Sequence, residues 1–320
     1  MGMSLRRYAP PIAALVLALL LPTIAAALGQ DFYVSFASRV LILALLATSL
    51  NLVVGLCGMV SLGHAAFFGA GAYAVAIAAL ELGGASGTRL TGDSALFAWP
   101  LAMAASALLA LVIGAISIRT RGVYFIMITL AFAQMLYYVC VSLKNYGGDD
   151  GLSLAHRSTI PGLDLTSDAT FYYVVLALLA LTLVLVGRIA KARFGTVLRA
   201  IKDNEARAES LGYACYRYKL AAFVIAGALA GLSGALMANQ NSFVSPNMMH
   251  WEQSGVALVM VILGGLGNLY GGLAGAAVYM LLEEGLSGFT QRWQIGLGLV
   301  LLLVVFIAPR GVTGLFARRP

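Results

Sequence analysis

Long runs of apolar residues, free of any Asp, Glu, Lys or Arg, alternate along this chain with short polar connections. Ala9–Leu28, Leu41–Leu56 and Ile295–Ala308 are such runs. A helix needs roughly 17–25 apolar residues to cross about 30 Å of hydrocarbon. The runs are continuous rather than alternating, so they predict helices and not the strands of a barrel. Apolar spans are expected near residues 9–28, 33–56, 61–80, 95–118, 122–143, 171–187, 219–240, 254–268, 271–285 and 293–309. The spans at 254–268 and 271–285 are short, as half-helices or tilted pieces buried by their neighbours would be. The expected fold is all-α: one polytopic transmembrane helical bundle over residues 1–320, with about 8–10 spans and room for re-entrant or broken helices.

Composition agrees. Of the 320 residues 61% are hydrophobic and 10% charged, against about 25% charged in soluble domains. The net charge of +7 does not point to nucleic acid, because the basic residues sit between the apolar runs and act as topology determinants. Arg6 and Arg7, Arg119 and Arg121, the segment 188–219, and Arg310, Arg318 and Arg319 all fall on one side if the spans alternate. That side is the cytoplasm, and both termini lie there. The other side receives Asp31, Glu81, Asp93, Asp149, Asp150, Asp164, Asp168, Glu252, Glu283 and Glu284. Arg39 is the exception, near the outer end of the second span, where a long side chain can snorkel. The first thirty residues resemble a signal peptide, but their apolar run is longer than a signal core, and a retained helix is expected.

Candidate chemistry is sparse. Cys57, Cys140 and Cys215 form no C-x-x-C pair and read as reduced, buried thiols. His64, His156 and His250 lack metal-ligand spacing, so no metal or cofactor is expected. None of the four lysines follows a glycine, so there is no phosphate-binding G-K-[ST] loop. No catalytic constellation appears, which argues against an enzyme. No acid holds a mid-membrane position, which argues against a proton-coupled carrier.

Two polar segments matter. Residues 144–170 form an extracytoplasmic loop with a turn at Gly147, Gly148 and Gly151. Residues 188–219 are cytoplasmic and basic. Within them Phe194, Val197, Leu198, Ile201, Ala208 and Leu211 fall at helical spacing, giving one amphipathic helix or a pair. Arg199, Lys202, Glu205 and Glu209 lie on the polar face, and Gly212 is placed as a stop. Such a helix can rest on lipid headgroups or dock on a cytoplasmic partner. The mixed signs favour docking.

Other glycines lie in the spans. Gly58, Gly63, Gly69 and Gly71, with Ser61 and His64 nearby, suit either a broken helix beside a cavity or close helix packing. Gly227, Gly231 and Gly234, and Gly267, Gly271 and Gly275, read as small-residue seams within the chain or towards a second membrane subunit.

The stretch Glu205–Gly212, "EARAESLG", resembles the EAA loop of ABC importer permeases, although Arg207 replaces the usual second Ala. The blocks Gly55–Ala76, Arg119–Met135, Val261–Ala277 and Phe306–Phe316 are similar to the LivM-type permease of branched-chain amino-acid importers, in that family's order. The resemblance implies a permease driven by two separate ATP-binding subunits, paired with a LivH-like second permease and supplied by an extracytoplasmic substrate-binding protein, in the bacterial inner membrane and its lipid. It implies coupling to the ATPase through Arg199, Lys202, Glu205, Glu209, Leu211 and Gly212, and a translocation path near Asn51, Ser61, Gly63 and His64. The implied cargo is leucine, isoleucine and valine. Closely similar permeases carry urea or short-chain amides, and a secondary carrier without ATPases is the remaining alternative.

Overall fold

The computed structural model describes residues 18–23, 32–82, 93–289, 292–307 and 311–316. The first predicted span and its signal-peptide alternative lie mostly outside these residues, as do both chain termini. The described part of the first helix, α1, is residues 18–23. It is followed by α2 (Phe32–Asn51, continuing as a π-helical turn Leu52–Cys57), α3 (His64–Leu82), α4 (Ala95–Ser117), α5 (Val123–Ser142) and α6 (Asp168–Lys191). Two short helices, α7 (Arg193–Asp203) and α8 (Glu205–Ser210), precede the long α9 (Cys215–Asn241). The chain then forms α10 (Trp251–Gly264), α11 (Gly271–Ser287), α12 (Trp293–Ile307) and α13 (Gly311–Phe316).

Six of these helices are long and apolar enough to cross a membrane: α2 with its π-turn, α3, α4, α5, α6 and α9. The bundle is therefore polytopic and helical, as expected. Its centre is α2, α9 and α3, whose apolar windows are 89%, 72% and 67% buried. The others are peripheral, and α5 is the most exposed at 17% buried. The long helices have no polar face, because both the core and the surrounding lipid are apolar.

Close approach between α3, α4 and α9 depends on small residues. A Cβ on Gly71 would lie 2.1 Å from Gly231 O, and one on Gly234 would lie 1.8 Å from Phe68 O. Gly227 packs on Ala110, and Ser106 donates to Phe67 O at 2.9 Å. The Gly227–Gly231–Gly234 seam thus serves packing within the chain. Aromatic rings complete this contact, with Phe223 edge-on to both Phe67 and Phe125. The second expected seam is corrected. Gly267 has φ of 76° and lies in the α10–α11 turn, so its four-residue spacing from Gly271 is not helical. Gly271 and Gly275 do lie on α11, against Gly265 O and Met260 O of the α10 strand of chain.

The two ends of the bundle differ in charge. At one end the α4–α5 turn, α7, α8, the α10–α11 turn and α13 gather. Thr313 of α13 donates to Gly264 O at 2.5 Å. At the other end the 144–170 segment is tied down. Its strand β1 (Leu152–Ser153) pairs antiparallel with β2 (Phe243–Val244). Thr159 N donates to Asp93 O, Ser158 N to the Asn239 side chain, and Arg157 pairs with Asp168 at 2.6 Å. In the same loop the Asp164 carboxyl is held below its usual range by hydrogen bonds from Thr166. Arg39 is close enough to act electrostatically on Glu283 of α11, which gives it a partner as well as a route to the interface.

The packing yields a paired expectation. Gly234→Ala should lower the thermal stability of the detergent-solubilised protein sharply, because its methyl meets backbone. Gly255→Ala, with open space around it, should be neutral or stabilising by up to about 0.5–1 kcal/mol. Equal stability of the two variants would reject the close α3–α9 approach.

Candidate functional site

The amphipathic segment folds as a helix pair. Asn204 leaves helical geometry (φ −158°, ψ 101°), and its side chain accepts from Arg207 N at 3.0 Å, capping α8. Such an N-cap satisfies an otherwise unpaired N–H and restarts the helix on a new axis. The pair ends at Gly212, whose φ of 86° permits Gly212 N→Glu209 O and Tyr213 N→Ala208 O, a Schellman closure. Beneath the pair, Val197, Ile201, Ala208 and Cys215 form a small apolar cluster.

The six predicted coupling residues divide into two groups. Three bind the protein itself. Arg199 donates to Ala190 O at 2.7 Å, closing the end of α6. Lys202 Nζ reaches the end of α2 and donates to Gly55 O at 2.9 Å. Glu205 takes Lys219 of α9 at 2.5 Å and Arg121 of the α4–α5 turn at 3.4 Å. Lys219 is only 11% exposed, and a buried cation without an anion is costly. The other three residues stand free. Leu211 is 71% exposed, Gly212 has nothing within 4 Å of its Cβ position, and Glu209 makes only a 3.8 Å contact with Arg121.

Lys202 arrives at a junction. Gly58, with φ of 70°, ends the π-helical turn, and a Cβ there would press on the Lys202 stem at 3.0 Å. Gly55 itself lies against Gly267, where a Cβ would come within 2.7 Å of Gly267 Cα. One turn earlier, Asn51 clamps the α10–α11 turn with both ends of its amide. Nδ2 donates to Asn268 O at 2.7 Å, and Oδ1 accepts from Gly267 N at 2.9 Å. The end of α2 therefore holds α7 on one side and the α10–α11 turn on the other. π-Turns inside longer helices are frequent at functional sites.

The four predicted path residues, Asn51, Ser61, Gly63 and His64, are all buried. Asn51 is the clamp. Ser61 Oγ accepts from Gly63 N at 3.2 Å, and Gly63 packs on Thr129 O of α5. His64 opens α3, where its Nε2 lies 2.9 Å from Ser49 Oγ. Ser49 donates its one hydroxyl proton to Leu46 O, so its oxygen accepts from His64 Nε2–H. His64 Nδ1 has no partner among the described residues. Beside it, Ser254 of α10 accepts from Ala65 N at 2.8 Å. The chain breaks at 58–63, while Gly63, Gly69 and Gly71 pack closely on Thr129, Met249 and Gly231, so the break and the close-packing alternative occur together.

Sequence reasoning missed Lys219, Arg121, Ser49, Ser254 and Asn268. Lys219 and Ser49 pair at separations of 14 and 15 residues and the others much farther along the chain, all beyond helical spacing, so no local pattern marks them. The one available signal was Glu205 itself, an acid in a basic segment that requires nearby cations.

A polytopic apolar bundle, with a charged helix pair clipped to one end, has the features of a multi-pass membrane protein. The chain belongs to the family described as "Branched-chain amino acid transport system / permease component", whose model matches residues 32–308. It is 29% identical over 303 residues to the high-affinity branched-chain amino acid transport system permease protein LivM of Salmonella typhimurium, covering 87% of this chain and 69% of that one. The corresponding LivM of Escherichia coli K12 is 28% identical over the same shares. The LivH permease of Escherichia coli K12 is 26% identical over 164 residues, half of this chain and 52% of that one. No solved structure matches.

The clamp sets an expectation. Asn51→Ala should leave Gly267 N–H unpaired, at about 1–3 kcal/mol, remove one of the two bonds to Asn268 O, which also accepts from Gly271 N, and lower the thermal midpoint of the purified protein. An unchanged midpoint would mean the clamp contributes nothing.

Proposed function

We infer that this chain is a transmembrane permease subunit of an ABC importer for branched-chain amino acids. The observation that carries the inference is the α7–α8 pair in a member of this permease family. Its tip, Glu209 to Gly212, is exposed and held only by the 3.8 Å contact of Glu209 with Arg121, while its root is bound to α2, α6, α9 and the α4–α5 turn. An exposed tip on an anchored root is suited to receive a push and pass it inward. Two ATP-binding subunits would supply the push from the cytoplasm, which puts the basic end inside. A LivH-like permease would complete the pore in the bacterial inner membrane, and an extracytoplasmic binding protein would deliver substrate at the end that holds the 144–170 segment. Leucine, isoleucine and valine follow from the names of the relatives.

Within this reading the two groups of charges have different tasks. Glu209 and Leu211 touch the ATPase. Lys202 carries movement of α7 to Gly55 and so to the π-turn and the α10–α11 turn. Glu205 keeps Lys219 and Arg121 neutralised, so reversing its charge damages folding rather than docking.

The test is uptake of labelled leucine by vesicles holding the assembled complex. Uptake should require ATP inside the cell-facing compartment. Uptake without ATP, or recovery of the chain from its host without any ATPase, would overturn the reading. Selective uptake of urea or a short-chain amide would replace the cargo alone. Glu209→Lys with Leu211→Asp should insert normally, fail to recover the ATPases on purification, and abolish uptake. Full activity in that double variant would make α8 a lipid-surface helix. Lys202→Met should retain the ATPases but lose roughly tenfold or more in uptake, since one hydrogen bond to a charged group contributes about 1.5–3 kcal/mol. Uptake at the normal rate would remove Lys202 from the coupling route.

A further inference from the structure

Helix α5 poses a problem that its role in the bundle does not solve. It is the least buried of the six long helices, so most of its surface faces away from this chain. A helix facing lipid there should carry only apolar side chains. Gln134 lies near the midpoint of Val123–Ser142, the depth at which hydrocarbon is driest if the helix crosses symmetrically. Its Nε2 has no hydrogen-bond partner among the described residues. That nitrogen is buried by the chain's own atoms, and a buried polar group left unpaired costs about 1–3 kcal/mol. Aromatic residues at an interface are ordinary membrane anchors, but a mid-span glutamine is not.

Gln134 lines a groove of about 370 Å³ together with Leu130, Tyr138, His250 and Trp251. That volume is within the ~300–1,000 Å³ of small-molecule sites. The groove runs along the half of α5 nearer the 144–170 segment, towards the start of α10. Tyr137 holds the His250 ring edge-on at 5.4 Å, and Trp251 flanks it at 5.9 Å. The lining is thus mixed: an amide, a phenol and an imidazole beside leucine and indole. A second groove, between α10 and α12, makes the contrast. Val259, Ile262, Leu301, Leu302 and Phe306 line it, all apolar, as lipid chains require.

We propose that the α5 groove at Gln134 is one wall of the water-accessible passage and holds an aliphatic α-amino acid in transit. The Gln134 side chain and the Tyr138 hydroxyl line the part that takes its charged groups, and Leu130 and Trp251 take its side chain. This rests on the importer reading above for the identity of the solute, but the water-filled wall rests on the groove alone.

The experiment uses the complete transporter in host membranes. Gln134→Cys is treated with a charged, membrane-impermeant methanethiosulfonate, which reacts with thiolates and so reports water. The natural cysteines, Cys57 and Cys215 buried and Cys140 half-buried, give the baseline in the unaltered chain. Leu181→Cys on α6, at a 64% exposed position, is the lipid-facing control. Gln134→Cys should label at least about tenfold faster than the control, because thiols in hydrocarbon stay protonated, and leucine should slow it. Labelling at the control rate overturns the proposal. Fast labelling that leucine leaves unchanged overturns the amino-acid site. If urea or an amide slows it instead, the wall stands and the cargo reading falls. Gln134→Leu, with the amount of assembled complex as its folding control, should raise the KM for leucine uptake about tenfold. An unchanged KM counts against the site whatever the labelling shows.

Discussion

The amide of Asn51 is the interaction on which the rest of the arrangement depends. Helix α10 has 14 residues and α11 has 17, which at 1.5 Å per residue span about 21 Å and 26 Å. The turn between them lies at the charged end of the bundle, with Leu266 and Tyr270 exposed and Gly265 buried. The turn pairs part of its own backbone, Asn268 N with Gly265 O and Gly271 N with Asn268 O, and leaves Gly267 N for a side chain. Asn51 supplies one donor and one acceptor at the required spacing. With the turn held, Gly267 can lie against Gly55, α11 can pack on α2, and α13 can close over Gly264. A carboxylate at position 51 would accept from Gly267 but repel Asn268 O, and an apolar side chain would satisfy neither.

The same junction explains why glycine recurs where α2 ends. The chain must bring three backbones within reach of one another there, and side chains would keep them apart. Lys202 uses the space so formed. Its stem passes over Gly58 and its ammonium meets a carbonyl at the end of the π-turn. The cation is favourable at that point because helix C-terminal carbonyls carry partial negative charge. A fold requirement and a coupling route therefore share atoms, and neither can be altered alone.

Most of the architecture was legible along the chain. The spans at 33–56, 61–80, 95–118 and 122–143 lie within a few residues of the helices, because hydrocarbon thickness sets a length that apolar runs must meet. Basic and acidic connections separated to opposite ends for a similar reason. Gly212 was readable as a stop because a left-handed residue after a helix is a local event. The site was less legible. Arg199, Lys202 and Glu205 looked like an outward polar face, since helical spacing tells which residues share a side but not what lies opposite. Their partners, Ala190, Gly55, Arg121 and Lys219, are fixed by tertiary packing. The Gly267 spacing misled because a period of four occurs in turns as well as in helices.

Glu205 and Glu209 show how far residue type alone can carry a functional argument. They are the same amino acid, one helical turn apart, in one six-residue helix. Glu205 has two cations at 2.5 Å and 3.4 Å, whereas Glu209 has one at 3.8 Å and a side chain 53% exposed. The exposed ion pair contributes little to stability, while the half-buried one keeps Lys219 from being an isolated charge beneath α8. Folding therefore depends on Glu205 and leaves Glu209 available for another surface. The same division applies within the bundle. Asn51 and Ser254 are polar groups whose hydrogen bonds are made inside this chain, and they hold its shape. Gln134 Nε2 and His64 Nδ1 are buried polar atoms whose hydrogen bonds are not made within the described residues. In a medium that penalises every unmet hydrogen bond, groups of the second kind, which also include Tyr73, Trp99 and Ser117, are a cost that the rest of the packing offsets.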